Sequence, residues 1–288
     1  MRPANIVTAV ADILAGTAMA GTLYFSRFDT AAIILLCVST ALLYGGGVVM
    51  NDVFDTELDK IERPERPIPS GLIKKSSAAI FGTILLILGI ASAALSNTHH
   101  QFPASVIIAA FIAVAAVVYD KWMKHHLFFG PLNMGICRGL NLLLGMSIYV
   151  PAVMSYWPFA TVPVIYIFAI TMISRGEVHG GKKTTLYMAA FLYLIVIAAI
   201  VITAQRTETI LQTIPFLILF AAMIFVPLLK AVRNPAGSRI GKAVKSGVIS
   251  LIIMDAAWAA AFGNLTLALI ILALLPISLL LARIFAVT

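Results

Sequence analysis

The chain has 288 residues, of which 61% are hydrophobic and only 11% charged, and its mean hydropathy is +1.02. A soluble domain carries about 25% charged residues and cannot bury so much apolar side chain, while a disordered chain needs low hydrophobicity. Both classes are excluded, which leaves an integral protein of the lipid bilayer. The formal net charge of +8 must then lie outside the hydrocarbon or line a site, so we expect no nucleic-acid partner.

Ten apolar segments follow one another, at roughly 5–25, 31–50, 77–96, 103–119, 131–150, 157–174, 185–204, 210–229, 246–262 and 265–285. Most approach the ~20 residues that a helix needs to cross the hydrocarbon, and their lack of alternation argues against a β-barrel. The ninth segment is short, and little more than Gly263-Asn264 separates it from the tenth. The sequence therefore predicts an all-α polytopic membrane protein with nine or ten spans, as a single domain over residues 1–288.

The charges are distributed unevenly between the loops. Seventeen of the 20 Lys and Arg residues fall on one side of the predicted membrane, and only Arg27 and Arg206 fall in loops on the other. The positive-inside rule places the N-terminus and the basic loops in the cytoplasm, and we expect a bacterial cell membrane. Eight of the 12 acids share that side, which indicates a site for a cation and an anion together. Asp12 and Asp255 instead lie inside apolar segments, where each either lines a cavity or hydrogen-bonds a neighbouring helix, and a structural role is preferred for Asp255.

A row of acids follows the second segment. Asp52, Asp55 and Asp59 lie at i, i+3 and i+7, within an arc of about 60° if the helix continues. Three carboxylates on one face repel one another unless a positive ion lies between them. Mg²⁺ is the natural candidate, because it is a hard ion that binds carboxylates, water and substrate phosphates. The alternative is a helix end with ordinary surface acids.

A stiff basic loop comes next, with Arg63 and Arg66 in the Pro- and Gly-rich stretch 63–71. Arginine binds phosphate oxygens bidentately, so this loop beside an acidic helix face suits a diphosphate bridged to Mg²⁺. The alternative is that both arginines serve only to orient the chain in the membrane. Glu57 points away from the acidic face and is expected to pair with Lys60 or Arg63.

These residues resemble the UbiA superfamily of intramembrane prenyltransferases. The family motif NDxxDxxxD is matched by Asn51, Asp52, Asp55 and Asp59, and residues 63–71 match its RPxRPIPSG continuation. The start of the chain, Arg2-Pro3-Ala4-Asn5 with Asp12 further on, resembles the family's RPxN entry to its first helix. The resemblance implies nine transmembrane helices around a central cavity, with the first motif binding Mg²⁺ and the prenyl diphosphate.

Two further elements resemble the family. Tyr119 with Lys124 resembles its Tyr…Lys element, although the usual spacing is YxxxK and here it is one residue longer, so Lys121 competes with Lys124. Arg138 and Asn141 lie about one turn apart and resemble an Arg/Asn element that lines the cavity. The sequence places this pair near the cytoplasmic end of the fifth segment, where a charged residue without a partner is costly.

One expected motif is missing. The family usually carries DxxxD after its sixth helix, whereas residues 173–183 read ISRGEVHGGKK and contain a single acid, Glu177. This departure from the family pattern leaves open whether one or two Mg²⁺ ions bind: Glu177 offers one oxygen ligand, and Arg175, Lys182 or Lys183 offers positive charge in place of part of the metal's. The alternative is a flexible basic loop. The SRGEVHGG stretch resembles the UbiA-like EboC subgroup.

We therefore expect Mg²⁺-dependent transfer of a prenyl group from a prenyl diphosphate to an aromatic or hydroxyl acceptor within the bilayer. The expected catalytic residues are Asp52, Asp55, Arg63, Arg66, Tyr119, Lys124 and Arg138. The expected substrate-binding residues are Asn5, Asn51, Asn141, Arg175, Glu177, Lys182 and Lys183, and the expected metal ligands are Asn51, Asp52, Asp55, Asp59 and Glu177. The alternative is a protein that binds or carries a prenylated lipid precursor without catalysis. A CDP-alcohol phosphotransferase is disfavoured because its motif is absent.

Overall fold

A computed structural model describes residues 3–22, 29–96, 103–177 and 180–285, and within these ranges it contains helices and no strand. Arg2 of the RPxN element lies outside the described residues. The α-helices are α1 (Pro3–Gly21), α2 (Thr30–Phe54), α3 (Thr56–Glu62), α4 (Lys75–Leu95), α5 (Ala104–Val118), α6 (Phe129–Met146), α7 (Val150–Tyr156), α8 (Thr161–Ser174), α9 (Lys183–Arg206), α10 (Ile210–Arg233), α11 (Gly237–Ala261) and α12 (Leu265–Ile284). A π-helical turn (Tyr119–Met123) follows α5, and a 3₁₀ turn (Trp157–Ala160) joins α7 to α8.

Nine helical segments in the described part of the chain are long and apolar enough to cross a membrane. They are α1, α2, α4, α5 with its π turn, α7 with α8, and α9 to α12. Helix α6 is not among them, since Arg138 and two asparagines make it more polar, yet it spans 18 residues and packs between α1 and α8. The expected all-helical membrane fold is therefore confirmed. Beside the nine hydrophobic spans of the described ranges, α6 is a tenth long helix of more polar composition.

The ninth apolar segment is longer than its hydropathy predicted. Helix α11 has 25 residues and begins at Gly237, so Arg239 and Lys245 lie on a helix and not in a loop. Both cations donate to carbonyl groups near helix ends: Arg239 to Lys230 O at 3.4 Å, and Lys245 Nζ to Ala282 O at 2.6 Å. Cations stabilise the negative ends of helix dipoles, so Arg239 and Lys245 act on the carboxyl ends of α10 and α12.

Helices α1 and α11 form the centre of the bundle. Within an apolar stretch of 18 residues, 78% of the residues of α1 and 83% of those of α11 are buried, against 22% for α12. Large apolar side chains are instead exposed on α4, α9 and α12, where they suit contact with lipid tails; they include Ile80, Ile84, Ile87, Phe191, Leu194, Leu269 and Leu280. Asp12 on α1 and Asp255 on α11 are therefore held within protein, whereas the cations in the first turns of α11 are exposed.

Two glycines bring α1 and α6 into direct backbone contact. A Cβ built on Gly16 would lie 2.3 Å from Leu142 O, and one on Gly145 would lie 2.3 Å from Ile13 O. Only glycine permits this approach, which is the small-residue packing typical of membrane helices. The crossing fixes the face of α6 that carries Arg138 against α1.

Candidate active site

The acidic row lies on an almost continuous helix. The Asp55 N–H donates to Asn51 O at 2.9 Å, and the Asp59 N–H donates to Asp55 O at 2.8 Å. These i→i−4 bonds carry the helical path from α2 into α3 across the boundary at Asp55. The predicted shared face of Asp52, Asp55 and Asp59 follows from this continuity.

Arg66 returns from the basic loop to this face. Its Nη1 lies 2.7 Å from Asp59 Oδ2 and 3.3 Å from Asp52 Oδ1. The loop bends through its own backbone bonds, from Ser70 N–H to Arg66 O at 2.9 Å and from Ile73 N–H to Pro67 O at 2.9 Å. One guanidinium thus offsets the repulsion between two carboxylates that lie two turns apart.

Lys124 neutralises the third carboxylate. Its ammonium group pairs with Asp55 Oδ1, while Asn51 Nδ2 donates to Asp55 Oδ2 at 3.0 Å. The Lys124 side chain is 12% exposed and that of Asp55 is 17% exposed. This pair is therefore shielded from water more than an ordinary surface ion pair.

The π turn accounts for the extra residue between Tyr119 and Lys124. The Lys124 N–H donates to Tyr119 O at 2.9 Å across five residues, where an α-helix would span four. This insertion keeps Tyr119 and Lys124 one turn apart, as the family's shorter spacing would in a regular helix. Lys121 instead lies over the Trp122 ring, 4.5 Å from its centroid. The structure thus brings Lys124, and not Lys121, to the acids.

Asp120 is a fourth acid at this position that the sequence analysis did not include in the site. It lies on the π turn, is 5% exposed, and is subject to the charges of Lys124, Asp55 and Asp52. Its position beside Tyr119 and four residues before Lys124 was the available signal. Its burial among these three charged groups makes Asp120 a further carboxyl of the candidate site.

We call Asn51, Asp52, Asp55, Asp59, Arg66 and Lys124 the helix-end cluster. In the described residues no group of three or more His, Cys, Asp or Glu side chains is arranged to hold a metal, because the carboxylates face Arg66 and Lys124. The donors themselves suit Mg²⁺, since Asp52 and Asp55 supply hard oxygens one turn apart and Asp52 is 43% exposed. The set fits the ion provided that the two cations move aside.

The remaining charges of α3 and its loop point outward. Glu57 pairs with Lys60 at 2.9 Å, which confirms one of its two expected partners. The hydrogen bond and charge of Lys60 lower the pKa of Glu57 below its ordinary value. Arg63 is exposed and forms no ion pair within the described ranges, so its contact with a diphosphate stays a prediction.

The loop after α8 packs near the helix-end cluster through the chain that follows Lys124. Arg175 Nη2 donates to the carbonyl oxygen of His126 at 2.6 Å. Glu177 faces the start of α11, where its Oε2 would lie 3.8 Å from a Cβ on Gly241. Lys182 and Lys183 are exposed at the start of α9, and His179 lies outside the described residues. The ligand roles of this loop stay predictions.

Arg138 lies midway along α6, deeper than the expected cytoplasmic end. Its Nη1 lies 2.5 Å from Asp12 Oδ2, and its Nη2 donates to the Thr8 hydroxyl. Asn141 Nδ2 donates to the same Asp12 oxygen at 2.9 Å and to Ala9 O at 2.8 Å. We call Thr8, Asp12, Arg138 and Asn141 the buried arginine cluster. The crossing at Gly16 and Gly145 holds α6 against α1, and this packing sets the depth of Arg138 in the bundle.

The two clusters are separate. The Thr40 hydroxyl on α2 donates to Asn141 Oδ1 at 2.6 Å, and Asn51 follows 11 residues later on the same helix. At 1.5 Å per residue this is a rise of about 16 Å. Asn5 lies on the same face of α1 as Thr8, about one turn nearer the start of the chain. The sequence analysis therefore placed all of these residues in one site, whereas the fold separates them into two clusters at different depths.

A cavity of about 360 Å³ lies at the other ends of α1 and α9. Its lining residues include Thr22, Tyr156, Phe159, Arg206 and Phe262. Because α1 and α9 run away from the end that carries the acids, this cavity does not belong to either cluster.

Membrane-spanning helices with paired acids and bases at one end define an integral membrane protein with a site suited to a metal and a phosphate group. Residues 9–251 match the sequence profile of the UbiA prenyltransferase family, and the chain belongs to that family.

A digeranylgeranylglyceryl phosphate synthase of Methanococcoides burtonii is similar to this chain, with 38% identity over 124 residues. The matched stretch covers 43% of this chain and 41% of that relative. The chain spans about half the length of the curated relatives it matches, which are archaeal. The EboC subgroup stays a prediction from the SRGEVHGG stretch.

Two solved structures have the same fold. A UbiA homologue from Aeropyrum pernix superimposes with a TM-score of 0.66 at 17% identity, covering 88% of this chain and 96% of that one. A UbiA homologue from Archaeoglobus fulgidus bound to DMAPP and Mg²⁺ gives a TM-score of 0.59 at 14% identity, covering 92% and 99%. These likenesses establish the helical architecture.

Proposed function

We propose that the chain is a Mg²⁺-dependent prenyltransferase that moves a prenyl group from its diphosphate to a hydroxyl acceptor within the membrane. The observation that carries the proposal is the helix-end cluster, in which three aspartates meet Arg66 and Lys124 at one end of a membrane-spanning helix. Such a site can hold a divalent cation and a diphosphate side by side. Membership in a prenyltransferase family supports this chemistry.

Asp52 and Asp55 are the proposed metal ligands, with Asn51 and Asp59 in support. Mg²⁺ bound there would neutralise charge that develops on the departing diphosphate. The UbiA homologue from Archaeoglobus fulgidus is bound to DMAPP and Mg²⁺, which supports the same cofactor for this chain. Glu177 is proposed as a further oxygen ligand at the loop after α8.

Arg66 and Lys124 are proposed to exchange partners when substrate binds. Without a ligand each neutralises a carboxylate, and with the substrate bound each turns toward a phosphate oxygen. Lys124 reaches this position from the π turn, and Tyr119 lies one turn away on the same face. Arg63, Arg175, Lys182 and Lys183 add positive charge at the surrounding surface.

The transfer breaks the bond between the allylic carbon and the diphosphate oxygen and forms a bond from that carbon to the acceptor oxygen. The diphosphate leaves with the electron pair of the broken bond, and the proton of the acceptor hydroxyl passes to this departing anion. The apolar helices exclude water that would otherwise capture the reacting carbon. Arg138, Asn141 and Asn5 lie deeper in the bundle than the helix-end cluster, and we propose that they line the space for the prenyl chain.

We propose a glyceryl phosphate lipid that already carries one prenyl chain as the acceptor. The support is that the archaeal relatives are digeranylgeranylglyceryl phosphate synthases, enzymes named for a product with two geranylgeranyl groups on one glyceryl phosphate. The distribution of basic residues supports a cytoplasmic N-terminus and cytoplasmic site loops.

The test is an assay of purified protein in a bilayer with radiolabelled geranylgeranyl diphosphate, Mg²⁺ and a panel of hydroxyl and aromatic acceptors. We expect labelled product with the glyceryl phosphate lipid, lost on chelation of Mg²⁺ and in Asp52→Asn. Tight diphosphate binding without turnover on any acceptor would identify a carrier instead and overturn the proposal.

A further inference from the structure

Two carboxyl groups meet in the centre of the bundle, where α1 packs on α11. Asp12 is 0% exposed and Asp255 is 1% exposed, and their side chains lie within hydrogen-bonding reach of each other. Asp12 Oδ1 and Asp255 Oδ2 meet no N–H or O–H donor elsewhere in the described part of the chain. Ionised carboxylates only accept hydrogen bonds, so a contact between two of them requires a proton.

The charges around the pair also require a proton. Arg138 on α6 contributes one positive charge and stays protonated in proteins, while Asn141 on α6, Thr8 on α1 and Thr40 on α2 are neutral. Tyr44 of α2 is the other titratable group that acts on Arg138. Within the described ranges no second cation pairs with Asp12 or Asp255. Two ionised carboxylates would thus leave one negative charge uncompensated inside the bundle.

We propose that Asp255 holds a proton and donates it in a hydrogen bond to Asp12, so that one shared proton makes the Arg138, Asp12 and Asp255 group neutral. Asp12 keeps the negative charge because it accepts from both Arg138 and Asn141. Asp255 Oδ2 accepts from no such donor in the described part of the chain. Asp255 is therefore a positioning residue, which fixes Asp12 and through it the guanidinium of Arg138.

The inference does not depend on the proposed reaction, since it concerns only the charge state of the bundle interior. It predicts that Asp255→Asn and Asp12→Asn, although chemically similar, have different effects on the melting temperature. Asp255→Asn keeps a donor toward Asp12 and should melt close to the wild-type temperature. Asp255→Leu removes the donor, and Asp12→Asn leaves Arg138 without its anion, so both should melt lower.

The direct test is infrared spectroscopy of the full chain at pH 8.5, with ¹³C at the aspartate carboxyl groups. The protein carries Asp120→Asn, which removes another buried carboxyl from the spectrum. We expect a protonated-carboxyl C=O band that shifts with the label and disappears in Asp255→Asn, while the exposed control Asp29→Asn keeps it. Absence of the band in the unsubstituted background would overturn the proposal without requiring that any Asp255 variant fold. Persistence of the band in a folded Asp255→Asn protein would place the proton elsewhere and also overturn it.

Discussion

An arginine pairs with aspartate at two depths in this molecule. In the helix-end cluster the Arg66 side chain is 27% exposed and bridges Asp52 and Asp59. In the buried arginine cluster the side chains of Arg138 and Asp12 are only 12% and 1% exposed. The same chemical pair therefore has two environments. Water and a ligand can replace a partner at the first position, but the second is enclosed by α1, α2, α6 and α11.

The difference bears on what each pair can do. The Asp52 side chain is 43% exposed, so Arg66 can turn from Asp52 toward a substrate at a smaller cost than Arg138 can leave the enclosed Asp12. Removing one partner of a buried pair leaves a charge without compensation and destabilises strongly. We therefore interpret the helix-end cluster as exchangeable and the buried arginine cluster as fixed.

The largest expected effect is on stability, at Asp12. Asp12→Asn removes the anion that faces Arg138 and should lower the free energy of unfolding by roughly 3–5 kcal/mol. Thermal melting of the purified protein in one detergent measures this loss. Glu57→Gln is the control, because that acid is exposed and pairs only at the surface. Equal melting temperatures for Asp12→Asn and the wild type would contradict a fixed cluster.

The next effect is on activity, at Asp55. Asp55→Asn removes a proposed metal ligand and the partner of Lys124, and product formation should fall roughly 10²- to 10³-fold, as when one group that stabilises transition-state charge is lost. The melting temperature should fall less than in Asp12→Asn, because the Asp120 carboxyl remains near Lys124. A fall in activity that merely follows loss of folded protein would remove the distinction between the two clusters.

A steric change should have an intermediate effect. Gly145→Ala places a methyl group against Ile13 O at the crossing of α1 and α6, and overpacking of this kind costs roughly 1–3 kcal/mol. Gly47→Ala is the matched control, since its Cβ would meet Ala116 Cβ at an ordinary 3.5 Å. Melting of the two variants side by side checks the prediction, which fails if both melt alike.

The π turn offers a smaller and more specific test. Deletion of Lys121 removes the residue that separates this chain from the family's YxxxK spacing and should let the turn become α-helical. Lys124 would keep its place beside Asp55, so activity should stay within about one order of magnitude of wild type, while Lys124→Met should lose far more. If the deletion is as damaging as Lys124→Met, the turn has a function beyond spacing.

The smallest effect is expected at the surface pair. The pKa of Glu57 is lowered by Lys60, so the pair stabilises above the unfolded pKa of Glu57 and the contribution is lost as the pH falls through the lowered folded value. Both side chains are exposed, and Lys60→Gln should leave the melting temperature unchanged at neutral pH. NMR titration should show the pKa of Glu57 returning toward its ordinary value in that variant.

Local features were predictable from the sequence. The shared face of Asp52, Asp55 and Asp59 and the pairing of Glu57 with Lys60 depend only on helical spacing within a few residues. Hydropathy predicted the long helices of the described ranges and left the number of spans at nine or ten. The start of α11 at Gly237 was not predictable from hydropathy, because the first turns of this helix carry charged residues and precede its apolar run.

Contacts between distant residues were not predictable. Arg138 and Asp12 are 126 residues apart, and their meeting depends on two glycines at a helix crossing. The choice of Lys124 over Lys121 required the π turn, which a regular helical spacing does not reveal. Sequence reasoning therefore identified the residue types of the site and not their division into two depths.

The most direct test of the central claim measures transfer and folding together in one set of variants. Purified wild type, Asp55→Asn and Asp255→Asn would receive labelled geranylgeranyl diphosphate, Mg²⁺ and the singly prenylated glyceryl phosphate, with melting recorded on the same samples. We predict Mg²⁺-dependent product for wild type and Asp255→Asn, and a folded but inactive Asp55→Asn. Product formation by folded Asp55→Asn at the wild-type rate would contradict the assignment of the helix-end cluster as the active site.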